Sequence, residues 1–346
     1  MIVLGLESSC DETAAAVVRD GREVLSSVVS SQYELHAEYA GVVPEIASRA
    51  HVERVLPVMR EALERAGVGL GMIDAVAVGN RPGLIGCLLV GVGAAKALSW
   101  SLAKPLIGVD HVHAHLYSGM LDRNEGAPIF PALGLVVSGG HTALFHLESW
   151  DQVKRLGGTI DDAVGEAYDK VATVLGLPHP GGPNLDRLAR THGANERAID
   201  LPISRLSPDS LDFSFSGLKT SVLYAVKGVP NARDPDKLPK PLTAERKADI
   251  AASFQKAACD AVMLKLGRAA DRHDYRALLV GGGVSANSRL RGCLEAFAGK
   301  RGMLAVVPPM SYCMDNAAMI AGLGATLLAH GRTSDMNLQA DPVTAL

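Results

Sequence analysis

IVLGLESSCDETAAAVV (residues 2–18) sets an apolar run, a polar turn from Glu7 to Thr13 and a second apolar run from Ala14 to Val18 in succession. That is the pattern of a β-hairpin with its polar atoms gathered in the turn. Residues 133–147, LGLVVSGGHTALFHL, repeat the plan, which points to two related lobes. Between and after the hairpins the chain alternates. Val52, Val55, Leu56, Met59, Leu63 and Ala66 predict an amphipathic helix over 51–66. A strand over 74–78 feeds a loop at 79–84 and a Gly- and Ala-rich helix over 86–103, closed by Pro105. Helices are predicted over 161–175 and 248–270, and a strand over 276–280 runs into Gly281-Gly282-Gly283. Alternating β and α elements predict an α/β fold.

A chain of 346 residues has room for about two domains. Its 48% apolar and 21% charged content excludes a disordered chain. With 34 Lys and Arg against 37 Asp and Glu, the net charge is 34 − 37 = −3, so nucleic acid would need a local patch or a partner. The five cysteines are scattered and form no C-x-x-C, which argues against a disulfide framework or a thiolate zinc site and fits a reducing cytoplasm. Acidic Glu7, Asp11 and Glu12 stand where a signal peptide would be basic and then apolar. The longest uncharged apolar stretch, Leu84 to Ala95, ends at Lys96 and is shorter than the roughly 20 residues of a spanning helix. The expectation is a soluble, cytoplasmic protein with no membrane contact. Residues 227–247, with four prolines and nine charges, read as an exposed loop, and the tail after Gly331 as extended over the surface.

Within His111-Val112-His113-Ala114-His115, positions i and i+4 share one helical face, so His111 and His115 can bind one metal or can simply be packed histidines. A zinc protease would need Glu where Val112 stands. Ser138-Gly139-Gly140 is either an anion-binding nest or an ordinary hairpin turn. Gly281 to Asn287 follows a strand and precedes a helix, and could bring backbone and Asn287 against a nucleoside, although it lacks both G-x-G-x-x-G and the P-loop Lys. Asp315, before a strong helix start, reads as an N-cap, a ligand or both. Asp161 and Asp162 read as caps of the next helix, with Glu166 and Asp169 on one face of it, and Pro180 to Pro183 as a rigid turn.

Taken in order, GLESSCDETAAAVV (5–18), YAGVVPEIASRAH (39–51), PGLIGCLLVG (82–91), HVHAH (111–115), LVVSGGHT (135–142), DDAVGEAYDKVA (161–172), LPHPGGP (177–183), DFSFSGLKT (212–220), GGGVSAN (281–287) and YCMDNAAMIA (312–321) resemble the TsaD family almost end to end. That family transfers threonylcarbamoyl to N6 of a tRNA adenosine and has the actin, Hsp70 and sugar-kinase fold. The resemblance implies a two-lobed actin-like ATPase fold with a central cleft, the lobes being 1–125 and 126–346, with a C-terminal helix from about 315 packing back across the cleft. It implies His111, His115 and Asp315 as ligands of one divalent metal, Fe or Zn. It implies Val136, Val137, Ser138, Gly139, Gly140, Asp169, Gly182, Asp186 and Asn287 as contacts for threonylcarbamoyl-AMP or an ATP-, ADP- or AMP-like nucleotide. Asp11 and Glu12, in the first turn, could orient substrate or move a proton. The implied substrate is a tRNA reading ANN codons, modified 3′ of the anticodon, and the implied partners are a TsaB-like paralogue and a TsaE-like ATPase. Arg81 and Met314 depart from the family's usual Gly and Thr. A small-molecule kinase or Hsp70-like ATPase of the same fold is the first rival, disfavoured by the His pair, and a non-catalytic binding subunit is the second.

Overall fold

The computed structural model describes residues 1–36, 39, 41–123, 127–230, 234 and 238–343. It resolves into two compact units, Met1–Pro128 with Glu148–Val153 and Pro308–Leu346, and Ile129–Leu147 with Lys154–Val307. The first unit holds β1 (Ile2–Glu7), β2 (Glu12–Arg19), β3 (Glu23–Ser31), α1 (Tyr33–His36), α2 (Pro44–Ala66), β4 (Ala75–Arg81), α3 (Ile85–Leu102), β5 (Leu106–Asp110) and α4 (His111–Tyr117). The second holds β6 (Ala132–Val137), β7 (Thr142–Ser149), β8 (Gln152–Gly158), α5 (Val164–Val174), α6 (Gly181–Ala189), α7 (Ser216–Lys227), α8 (Ala244–Ala270), β9 (Ala277–Gly281), α9 (Ser288–Lys300) and β10 (Leu304–Val306). The chain then returns to the first unit as α10 (Ala317–Ala329). A lobe boundary at 125/126 falls outside the described residues. A second lobe running to residue 346 needs correction, because Pro308–Leu346 clusters with the first unit.

Both predicted hairpins form. β1 and β2 pair antiparallel, with Leu6 opposite Ala15, and β6 and β7 likewise, with Leu135 opposite Leu144. The sheets share one topology, β3-β2-β1-β4-β5 and β8-β7-β6-β9-β10, in which an antiparallel meander is extended by two parallel strands. β1 and β6 are buried along nearly their whole length because each is a central strand.

Helix α10 is apolar all round because it is buried all round, from Ala317 through Ala325. Small residues let it lie close on the sheet: a Cβ at Gly5 of β1 would stand 2.4 Å from the Ala317 carbonyl. In α2 the buried stripe is Ala47, Ala50, His51, Val58, Met59 and Ala62. Val52 and Leu56, predicted to face the core, are exposed, because Ala and His residues supply the seam where helix and sheet approach closely. Helix α3 continues through Lys96 to Leu102, and among the described residues it alone is long and apolar enough to cross a membrane. Here it buries Cys87, Leu88, Gly91, Val92, Ala95 and Ser99, and packs on β4 and α2.

The second unit is cored by Phe213, Phe215 and Phe254, with Tyr168 edge-on to Phe254 at 5.0 Å. Helix α8 begins at Ala244, capped by Thr243, so the end of the predicted 227–247 loop is helical; residues 231–233 and 235–237 lie outside the described residues. The tail after Gly331 is pinned. Ser334 bridges Leu106 of β5, and Asn80 donates to Gln339 while accepting from the backbone of Asp341. No disulfide joins the five cysteines, all of which lie among the described residues.

Candidate metal and substrate sites

The Asp110 carboxylate at the end of β5 accepts from the backbone of Val112 (2.9 Å) and His113 (3.2 Å), so helix α4 starts at once and its first turn is fixed. That geometry puts His111 and His115 on one buried face, ring centroids 4.7 Å apart, while His113 points elsewhere and is half-buried. Asp315 faces them: its Oδ1 lies 3.1 Å from His115 Nε2 and 3.6 Å from His111 Nε2. One ligand atom from each of the three falls within 4.8 Å of the others.

Asp315 is not the cap of α10. Asn316 is, its Oδ1 accepting from Met319 N at 3.0 Å, and this leaves the neighbouring carboxylate to the histidines. The cap reading of Asp315 is thereby corrected by one residue. His115 is fully buried, Asp315 Oδ1 stands within reach of its Nε2, and its Nδ1 has no hydrogen-bond partner among the described residues. Burial holds the His115 ring below the ordinary histidine range, with Asp315 offsetting part of that, so it is a neutral ligand in waiting. Two imidazoles and a carboxylate converging around an unsatisfied buried nitrogen are a donor set that fits a divalent transition metal.

The hairpin between β1 and β2 lines the same place with acid. Glu7 is 1% exposed; its Oε1 accepts from Ser9 N (2.5 Å) and its Oε2 lies 3.0 Å from His111 Nδ1. Burial drives the Glu7 pKa up, but the His111 ring more than reverses this and leaves it lowered. Burial likewise lowers the His111 pKa, yet Glu7 and Asp315 carry it up to about 10. Glu12 is held well above the ordinary carboxylate range by burial, then by Asp315, Asp11 and Glu7, so it keeps its proton at neutral pH. Four interacting acidic groups, Glu7, Asp11, Glu12 and Asp315, gather here around His111. His51 braces the turn, with Nδ1 2.7 Å from Thr13 Oγ1 and Nε2 3.0 Å from the Cys10 carbonyl.

In the second unit the predicted contacts fall into three groups. The first is the β6–β7 turn, where Ser138 N donates to His141 O (2.7 Å) and Ser138 Oγ accepts from His141 N. A Cβ at Gly139 or Gly140 would meet nothing within 4 Å, so open space stands before both. Close backbone approach is required instead at Gly282, where φ is +92° and a Cβ would lie 2.5 Å from Val137 O. Val136 and Val137 are fully buried, so their side chains belong to the core. The second group joins Asp169, whose Oδ1 accepts from Gly182 N at 3.2 Å. The third joins Asp186 to Asn287: Asp186 Oδ1 accepts from Asn287 Nδ2 (3.3 Å) and Ser288 Oγ (2.7 Å). Asn287 also caps α9 and donates to Gln255 at 3.0 Å, so its side chain is occupied within the protein rather than turned outward. Gln255 and Ser288 were missed in the sequence, since neither lies in a motif.

Asp161 does not cap the helix that follows it, where Ala163 holds that position. It accepts from Phe215 N (2.8 Å), Ser216 N and the Ser214 and Ser216 hydroxyls, and so caps α7 across a long loop. Asp162 pairs with Lys170 and Lys219, and Glu166 with Lys170, so Glu166 and Asp169 form no acid pair.

Among solved structures the chain is similar to HypF from T. kodakarensis, with TM-score 0.60 and 17% identity over 95% of this chain and 48% of that one. It is also similar to (R)-2-hydroxyglutaryl-CoA dehydratase component A from Acidaminococcus fermentans, with TM-score 0.53 and 14% identity over 95% and 99%. Fold and site together define an α/β protein of the actin-like ATPase fold group with two buried histidines facing a half-buried carboxylate. Within that class, the chain belongs to the TsaD family, described as tRNA N6-adenosine threonylcarbamoyltransferase, whose pattern matches residues 23–322. Relatives bearing that name include those of Anaeromyxobacter dehalogenans (50% identical, 99% of both chains) and Geobacillus thermodenitrificans (49% identical, 98% of this chain and 95% of the relative).

Proposed function

We propose that this protein transfers a threonylcarbamoyl group from threonylcarbamoyl-AMP to N6 of the adenosine 3′ of the anticodon in tRNAs reading ANN codons. The observation that carries the reading is the convergence of His111, His115 and Asp315, with near half of all residues shared with relatives of that activity over full length. His111, His115 and Asp315 would hold one divalent metal, Fe or Zn. When bound, such an ion supplies Lewis-acid stabilisation of charge on the substrate. Asp11 and Glu12, hydrogen-bonding neighbours in the turn beside these residues, would orient substrate or move a proton. The Ser138 to Gly140 turn, with Asp169, Gly182, Asp186 and Asn287 shaping the second unit, would receive the adenylate, phosphate toward the open face of Gly139 and Gly140. Since the attacking amine is a weak nucleophile, positioning must supply much of the rate.

A net charge of −3 fits tRNA capture shared with a TsaB-like paralogue and a TsaE-like ATPase in the cytoplasm. Exposed Val52, Leu56, Ile85 and Leu89 on α2 and α3 offer apolar surface to a protein partner and need no membrane. The test is to combine the protein with those partners, threonylcarbamoyl-AMP and unmodified tRNA, and to measure modified nucleoside by mass spectrometry. Phosphoryl transfer or ATP turnover without nucleoside modification would select the kinase-like alternative.

A further inference from the structure

We infer that Glu7 is a positioning residue for metal binding, fixing the His111 ring through Nδ1 so that Nε2 is turned to the ion. The inference rests on the metal reading of His111, His115 and Asp315. A metal-bound imidazole ordinarily donates its other N–H to a carboxylate or carbonyl, which sets both tautomer and ring orientation. His111 Nδ1 is 3.0 Å from Glu7 Oε2, and the ring's opposite nitrogen faces Asp315. The carboxylate is itself held: the backbone N–H of Ser9 donates to Oε1 at 2.5 Å.

Room for Glu7 is built into the neighbouring strand. A Cβ at Gly79 of β4 would stand 2.6 Å from Glu7 Oε2 and 3.5 Å from Ile320 Cδ1, so an alanine there presses on the carboxylate first. Ser9 Oγ also lies near His111 Nδ1, but at 3.3 Å, and is the weaker claimant. The two carboxylate oxygens serve two donors. A glutamine offers one acceptor oxygen, and if Ser9 N–H keeps it, the amide N–H₂ meets His111 Nδ1. The ring must then accept at Nδ1 and carry its proton on Nε2, the nitrogen the metal needs.

The test is Co²⁺ titration of the purified metal-free protein, reading affinity and the visible d–d spectrum, alongside its melting temperature without metal. Glu7→Gln and Glu7→Asp are expected to weaken Co²⁺ binding by roughly 10- to 100-fold and to change the spectrum. Gly79→Ala, which displaces the carboxylate without altering its chemistry, is expected to do the same, and Ser9→Ala to change affinity less than about threefold. Wild-type affinity and spectrum in folded Glu7→Gln, or in Gly79→Ala should the Glu7 variants not fold, would overturn the inference. So would a loss in Ser9→Ala equal to that in Glu7→Gln. A melting-temperature drop with unchanged Co²⁺ binding would make Glu7 a structural ion-pair partner only. Absence of Co²⁺ binding by the wild-type protein would defeat the metal reading itself.

Discussion

Asp315 Oδ1 lies 3.1 Å from His115 Nε2, while the residue after it, Asn316, takes over the capping of α10. One turn of chain thus divides two tasks between adjacent side chains, and substitutions can separate them. Asp315→Asn is expected to leave the metal-free melting temperature unchanged and to abolish metal-induced stabilisation and tRNA modification. Asn316→Ala should instead cost about 1 kcal/mol of stability without metal, as lost caps do. Thermal melts of both variants with and without Zn²⁺ decide it; Asp315→Asn with wild-type metal content would send the search for a third ligand elsewhere.

His111→Ala and His115→Ala should each lose bound metal, beyond the roughly 10- to 100-fold that outer partners cost, and most activity with it. His113→Ala should keep both, because its ring leaves the shared face of α4. Elemental analysis of the three purified variants is the measurement, and equal loss in His113→Ala would contradict the helical arrangement.

At the β6–β7 turn, Gly139→Val should keep the fold within about 0.5 kcal/mol, since its Cβ meets open space, yet weaken a non-hydrolysable adenylate analogue in calorimetric titration. Gly282→Ala should do the reverse at first contact: a strained φ of +92° and a 2.5 Å approach to Val137 O predict a loss on the order of 1–3 kcal/mol. Unchanged analogue affinity in Gly139→Val would move the phosphate position away from this turn.

Asp161 gives a pH prediction. Burial raises its pKa, but the Ser214, Phe215 and Ser216 donors prevail and lower it below the ordinary 3.8. A carboxylate depressed on folding stabilises the folded form above its unfolded pKa and loses that contribution as pH falls through the lower folded value. Its share of stability is therefore present above about pH 4 and disappears in more acid solution, and solvent exposure keeps the electrostatic part small. Asp161→Ala should cost about 1 kcal/mol at neutral pH and show a shallower acid limb in urea denaturation. Identical acid limbs would mean that the α7 start is held by something else.

Periodicity and turn chemistry made the hairpins and the His-x-x-x-His face legible, because each is local. What escaped was set by distance along the chain. Asp161 looks like the cap of α5 from its neighbours, and only the fold shows that the DFSFSG segment brings α7 to it. Glu7 ends an apolar strand, and nothing before the fold places it against His111, more than a hundred positions on. Asn287 reads as an outward ligand because its partners, Asp186 and Gln255, come from other helices. In α2 the hydrophobic spacing marks the right side at Met59, Val55, Leu63 and Ala66 and misses at Val52 and Leu56, since Ala47, Ala50 and Ala62 take the close helix-on-sheet contact.

The two sheets repeat one strand order, and each puts a turn between its first two strands. In one copy that turn is flanked by Glu7, Asp11 and Glu12, and in the other it is Ser138-Gly139-Gly140-His141 without a carboxylate. The same place in the repeated plan thus carries acidic side chains in one copy and a glycine-rich turn in the other. Neither half can stand in for the other. A chain whose second hairpin turn were replaced by the first would set acidic side chains where Gly139 and Gly140 now leave open space.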